Sequence, residues 1–201
     1  LGEGLTPLQE LPELAKEMAR HVDGLLLYPS QPADDALRAA TAYLGPTVLI
    51  DGPVEGVPHV VMSTAEGVDQ AVAHLAALGH RGLTYLDAAP TTMFTSLDRR
   101  RNIETSCARA GIELAVVGPF SPGFESGVRA ADLVIAEGST AVVAFSDQMA
   151  LGVVRRLTER GVRVGADISV VGVDDIWIAA QVTPALDRKS TRLNSSHVSL
   201  S

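Results

Sequence analysis

A chain of 201 residues has room for one large domain or two small ones. Apolar residues make up 46% and charged residues 20%, with a mean hydropathy of +0.20, which excludes a disordered chain, and no unbroken apolar run approaches the roughly 20 residues that a bilayer demands. Acidic residues number 24 against 16 basic ones, a net charge of −8 that argues against the surface as a whole binding a polyanion. One cysteine, Cys107, permits no internal disulfide and no thiolate metal site, so a reducing cytoplasm is the expected compartment and neither metal nor cofactor is implied. Leu1-Gly2-Glu3-Gly4 opens without Met and without a basic stretch ahead of an apolar core, so no secretory signal is read there.

Along the chain, apolar helical faces alternate with short aliphatic strands. Leu8, Leu11, Leu14, Ala15 and Met18 recur at helical spacing ahead of the buried strand Gly24 to Tyr28. A helix over Ala33 to Tyr43, with Asp34 and Asp35 at its positive end, precedes strands at Thr47 to Ile50 and Val57 to Met62. Val68, Val72, Leu75 and Leu78 form the next helical stripe, which stops at Gly79. Gly111 and Gly161 close helices begun near Ser96 and Asp147, each preceded by arginines that suit the negative helix end. Leu83 to Leu86, Leu114 to Val117, Val142 to Phe145 and Ser169 to Val173 are strands of the kind covered on both faces. The pattern predicts α/β architecture with parallel strands joined by right-handed crossovers, and ligands bound at the strands' carboxyl ends. From Arg188 onward five serines and no periodic face read as a foreign assembly scar, expected to be unpacked.

Candidate ligand residues therefore lie where strands run out. Asp174 and Asp175 follow the strand ending at Gly172-Val173, and adjacent side chains point apart. Asp174 is assigned to ligand and its neighbour to capping the turn. Ser146 stands at the tip of its strand as a second candidate, and Asp147 reads as the helix N-cap or first-turn acid. Phe120 and Trp177 each follow a strand and could pack on a ring, or serve the core. Of the successive Arg99, Arg100 and Arg101, two fit a solvated face, while Arg99 falls three residues after Ser96 and could present a planar fork with it. His80 reads as a C-terminal helix cap. Phosphate loops, nucleophile elbows and His/Cys metal spacings are absent, so an enzyme using Asp174 or Asp175 as a base is the least supported reading.

Three segments together carry a family resemblance: His74-Leu75-Ala76-Ala77-Leu78-Gly79-His80-Arg81, then Phe145-Ser146-Asp147-Gln148-Met149-Ala150-Leu151-Gly152, then Asp167-Ile168-Ser169-Val170-Val171-Gly172-Val173-Asp174-Asp175 with Thr183-Pro184-Ala185-Leu186. In order and spacing they resemble the effector-sensing domain of LacI/GalR transcriptional regulators across roughly residues 20 to 186. The resemblance implies a periplasmic-binding-protein-like type I fold. Two subdomains, with parallel sheets flanked by helices, would hold a small sugar-like effector in the cleft between them. It also implies a homodimer, and DNA contact only through an N-terminal headpiece that this chain lacks. On that pattern residues 1–80 form a partial N-terminal subdomain, 81–186 the C-terminal subdomain, and 187–201 a non-native disordered tail, with the first hinge near Gly79 to Gly82. Arg99, Ser146, Asp174 and Phe120 fall on the family's effector-contacting positions. Asn102-Ile103 stands where Gly-Phe is usual, Ser146 where Asn is usual, and Ser63-Thr64 where Asp-Asn is usual. The alternative is a periplasmic solute-binding protein of a sugar uptake system with the same fold, which the missing signal weighs against.

Overall fold

A computed structural model of the chain describes residues 11–18, 20–28, 35–43, 45–51, 54–89, 96–186 and 197–200. It divides into two units, Leu1–Ser63 with Ser196–Ser201, and Thr64–Ser195. The boundary lies at Ser63/Thr64 rather than at 80/81. The reason is that the helix over Ala65–Ala77 buries Val68, Val72 and Leu75 with Leu83, Tyr85 and Ile103, in the core of the second unit.

In the first unit, α1 (Leu11–Met18) and α2 (Asp35–Thr41) accompany β1 (Leu25–Leu27), β2 (Thr47–Ile50) and β3 (His59–Ser63). Leu8, Ala33 and Asp34 fall outside the described residues. The three strands pair in parallel in the order β1-β2-β3. A small core of Leu37, Leu49 and Val54 lies among them. Asp51, at φ 57 just after β2, accepts from the Met62 amide at 2.6 Å and so ties the end of β2 to β3. Beyond β3 the structure corrects the expectation of an unpacked tail: β8 (His197–Leu200) pairs antiparallel with β3, from Val60↔Leu200 to Ser63↔His197. The unpaired amides and carbonyls of an edge strand offer a template to any short extended segment, and His197-Val198-Ser199-Leu200 takes it. Residues 187–196 lie outside the described set.

The second unit follows the expected alternation more fully. The helix just described, α3 (Ala65–Ala77), leads into β4 (Gly82–Ala88), then α4 (Ser96–Ala110), β5 (Glu113–Phe120), α5 (Phe124–Ala136), β6 (Ala141–Ala144), α6 (Asp147–Glu159), β7 (Ser169–Val171) and a short 3-10 helix at Trp177–Gln181. All four strands are parallel, in the order β5-β4-β6-β7. Side chains alternate between two cores. Leu83, Tyr85, Ala141 and Val143 pack with residues of α3 and α4, while Leu86, Ala88, Val142 and Ala144 pack with residues of α5 and α6. The three expected helix stops hold, with Gly79, Gly111 and Gly161 at φ 91, 66 and 75. The chain leaves β4 to one side for β5 and returns to the other for β6. Strand order therefore reverses beside β4, the point at which open α/β sheets open a crevice at their carboxyl ends.

Candidate functional site

At that reversal, the first turn of α4 brings Arg99 over the end of β6. A cation so near a helix N-terminus opposes the helix dipole, and a guanidinium only 6% exposed needs compensation for lost water. Phe145, the first residue past β6, supplies much of it. Its carbonyl accepts from Arg99 Nη1, and its ring lies beneath the guanidinium, 4.3 Å from Cζ to the ring centroid. On the other side Arg99 Nη2 stands 3.8 Å from Asp174 Oδ1, a loose ion pair whose carboxylate is 44% exposed. Arg99 Nε finds no acceptor among the described residues. The result is a fixed planar donor group with donors to spare, and a carboxylate open to solvent beside it.

The turn from β6 into α6 is held from both ends. Ser146 is the N-cap, its Oγ accepting from the Met149 amide at 3.2 Å. Asp147 is the first helical residue; its amide donates to the Val173 carbonyl at 2.7 Å and its Oδ2 accepts from the Ile176 amide at 2.9 Å. This carboxylate therefore pins the segment after β7 to the start of α6, and burial holds its pKa above the ordinary value despite those bonds. Gly172 is required for the approach, since a Cβ there would run into the Asp147 carboxylate. Past it the backbone turns sharply, with Asp174 at φ 117 and Asp175 at φ 58, conformations that L residues adopt only under constraint. Burial pushes the Asp174 carboxyl up to about 6, with the Arg99 guanidinium opposing and Asp147 adding to the rise.

Of the residues singled out by sequence, the structure brings Arg99 and Asp174 into contact and sets Ser146 directly beside the Phe145 that carries Arg99. It does not gather the rest with them. Phe120 ends β5 half-buried, packed against the α5/α6 core, which is the core role left open for it. Trp177 is 73% exposed at the head of the 3-10 helix, so it does not pack in the core. Ser96 begins α4, and its side chain lies outside the described residues. The N-cap role falls to Ser146, with Asp147 as the first-turn acid. His80 caps no helix with its ring: Nδ1 lies 2.9 Å from Thr140 Oγ1 and Nε2 3.0 Å from Ser169 Oγ, bridging the residue before β6 and the first residue of β7. Of the three arginines only Arg101 is a solvated surface residue, 74% exposed beside Asp98.

Two residues of the site escaped the sequence reading. Phe145 was read as the end of an apolar strand and part of a family motif, with no role of its own, yet it supports Arg99. Asp87, whose side chain is 5% exposed near the end of β4, lies 3.3 Å from Arg100 Nη1, and that arginine also donates from Nε to Glu104 at 2.9 Å. A carboxylate closing the apolar run Leu83 to Leu86 was the available signal. Elsewhere, a hollow of about 620 Å³ in the first unit is lined by Gly24, Leu25, Leu26, Pro46, Val57 and Pro58 among others, near the amino ends of the strands and without a charged side chain. Among the described residues there is no cluster of three or more metal-ligating side chains, and no helix is long and apolar enough to cross a membrane.

Comparison with known proteins bears on the same region. The family model described as a periplasmic binding protein-like domain matches residues 72–196. The lactose operon repressor of Escherichia coli is 33% identical over 173 residues, covering 84% of this chain and 48% of that protein. The transcriptional repressor PurR of Mannheimia succiniciproducens is 33% identical over 177 residues, covering 83% of this chain and 52% of that protein. The chain thus spans about half the length of the curated relatives it matches. A solved structure of the dimeric lac repressor with an 11-residue C-terminal deletion superposes with a TM-score of 0.78 at 28% identity, covering 90% of this chain and 68% of that one. Sheets of mainly parallel strands flanked by helices, the family match and the kinship with LacI-type repressors converge: the chain belongs to the periplasmic-binding-protein-like domain family, in the effector-binding form carried by LacI-family regulators.

Proposed function

We propose that this domain senses a small neutral polyol, a monosaccharide or close derivative. It binds at the carboxyl ends of β4, β6 and β7, and its occupancy sets DNA binding by a headpiece of the intact regulator. The observation that carries the reading is Arg99: buried, seated over the Phe145 ring, with donors to spare and facing a half-exposed carboxylate. A sugar's vicinal hydroxyls both accept and donate. Arg99 would donate to one hydroxyl oxygen, Asp174 would accept from the next, and the Ser146 hydroxyl could give its proton while its oxygen keeps the helix capped. Such a set discriminates against analogues lacking the hydroxyls, because the partners would then be buried and unmatched. The lactose operon repressor, a relative, is named for a sugar operon, which supports a carbohydrate class here. Binding, not turnover, is the event, and a ligand shifts an equilibrium only by contacts it makes better in one state. The solved lac repressor is a dimer, which supports a homodimeric regulator, and the relatives' role as transcriptional repressors supports a cytoplasmic one. The relatives are regulators, so the uptake alternative is not carried forward.

Calorimetric titration of the chain with D-glucose, D-galactose, D-ribose and hypoxanthine tests this. A sugar should bind with hypoxanthine inert, and Arg99→Ala and Asp174→Ala should each weaken the sugar by about tenfold to a hundredfold, the worth of a charge-assisted hydrogen bond. Sugar affinity unchanged in both variants overturns the assignment of the site. Binding of hypoxanthine alone overturns the sugar class.

A further inference from the structure

Two arginines in succession open α4, and two carboxylates stand within their reach. Asp87 is nearly enclosed at the end of the central strand β4, while Asp174 is half-exposed at the end of β7. The pairing is divided between them. Arg100 takes the enclosed carboxylate at 3.3 Å and is itself braced by Glu104 one turn further along α4. Arg99 turns the other way, onto Phe145 and toward Asp174. The Asp87 carboxylate, 5% exposed, sits in poorer solvent than the half-exposed Asp174 and so attracts a nearby cation more strongly. The Phe145 amide donates to the Leu86 carbonyl at 3.0 Å, so the end of β6, with the Arg99 guanidinium held over Phe145, stands beside the end of β4 from which Asp87 projects.

We infer that Arg100 is a positioning residue for the effector site: by occupying the Asp87 carboxylate it removes the strongest competitor for the Arg99 guanidinium, which then lies on Phe145 with its donors open to ligand. The placement of Arg99 is a claim about the unliganded protein. Only its consequence for affinity rests on the proposed function. Without Arg100, the guanidinium would be drawn back along α4 toward Asp87 and off the Phe145 ring, and a ligand would have to pull it free again. Arg100 is partly exposed and touches no proposed ligand contact, and by sequence alone it falls on a solvated helix face.

The test uses the full chain with Arg100→Gln, Arg100→Lys, and the neutral pair Asp87→Asn with Arg100→Gln. Crystal structures of the unliganded proteins should show the Arg99 guanidinium displaced toward Asp87 in Arg100→Gln and back over Phe145 in the other two. Titration with the best-binding sugar of the panel above should show about a tenfold loss in Arg100→Gln and recovery to within about twofold in the neutral pair, the size of coupling expected of charges sharing a partner. A merely structural role predicts no recovery, since the pair removes every contact that Arg100 makes. Arg99 unmoved in Arg100→Gln, or a neutral pair as weak as the single variant, overturns the proposal. If no sugar binds the parent chain, the proposed function fails while the position of Arg99 still decides this inference.

Discussion

Arg99 is buried against its electrostatic interest. It stands in the first turn of a helix, where the backbone already presents positive charge, and it is 94% removed from water, since its exposure is 6%. Its stability there rests on the Phe145 ring and carbonyl, and its freedom to bind rests on the weakness of the third contact, 3.8 Å to Asp174. That looseness has a pH signature. The Asp174 carboxyl titrates at about 6 in the folded chain against an ordinary 3.8, because burial disfavours the charge more than Arg99 favours it. Between about pH 4 and pH 6 the folded protein therefore holds a proton that the unfolded chain has released, so the stability this group contributes is full below about pH 4 and is lost as pH rises through about 6. Asp174→Asn abolishes the titration. The thermal midpoint of the variant, measured relative to the parent, should rise from pH 4 to pH 6 and level off above it; parallel midpoints across that range would contradict the assignment. Asp147, also shifted upward by burial, contributes a drift of the same sign that persists in the variant. Neither shift was legible in the sequence. Two adjacent carboxylates after a strand are visible by eye, but the environment that separates their roles is assembled from α4, β6 and β7.

At the scale of elements, the helices of the second unit were read unevenly, and the packing explains why. The stripe of Val68, Val72 and Leu75 on α3 announces itself, as do the glycine stops. Helix α5 has no comparable signal. Its buried residues are Ser126, Gly127, Ala130, Ala131 and Val134, small side chains that make a close contact possible but do not stand out as a hydrophobic face. The contact is with α6. A Cβ on Gly127 would strike the Met149 carbonyl, and one on Gly152 would strike the Phe124 carbonyl, so the two helices meet backbone to backbone at reciprocal glycines. Alanine should gain about 1 kcal/mol of intrinsic helix propensity at each position and lose more to the forced separation. Gly127→Ala and Gly152→Ala are accordingly expected to lower unfolding free energy by about 1–3 kcal/mol in urea titrations, the range for overpacked cores. A variant more stable than the parent would mean that the helices part without loss.

For the molecule as a whole, the two units differ in what holds them. The second has continuous apolar cores on both faces of its sheet, with Tyr85, Leu86, Ile103, Phe145 and Leu157 all under 2% exposed. The described core of the first is Leu37, Leu49 and Val54, and Leu26, at the middle of β1, is 71% exposed. Amide hydrogen exchange followed by mass spectrometry should show β1 to β3 exchanging well before β4 and β6, since opening costs least where least apolar surface is buried. Equal protection in the two units would contradict this. The sequence by itself determined the α/β class, the parallel strands of the second unit and the helix stops. Each of these is written in periodicity or in a residue with special backbone freedom, which are local properties. Only the tertiary structure decided that α3 belongs to the second unit, that Phe145 carries Arg99, that Arg100 occupies Asp87, and that the last residues pair with β3. Those outcomes depend on which side chains meet across distant stretches of chain, and on the loss of water that makes one charge pair prevail over another.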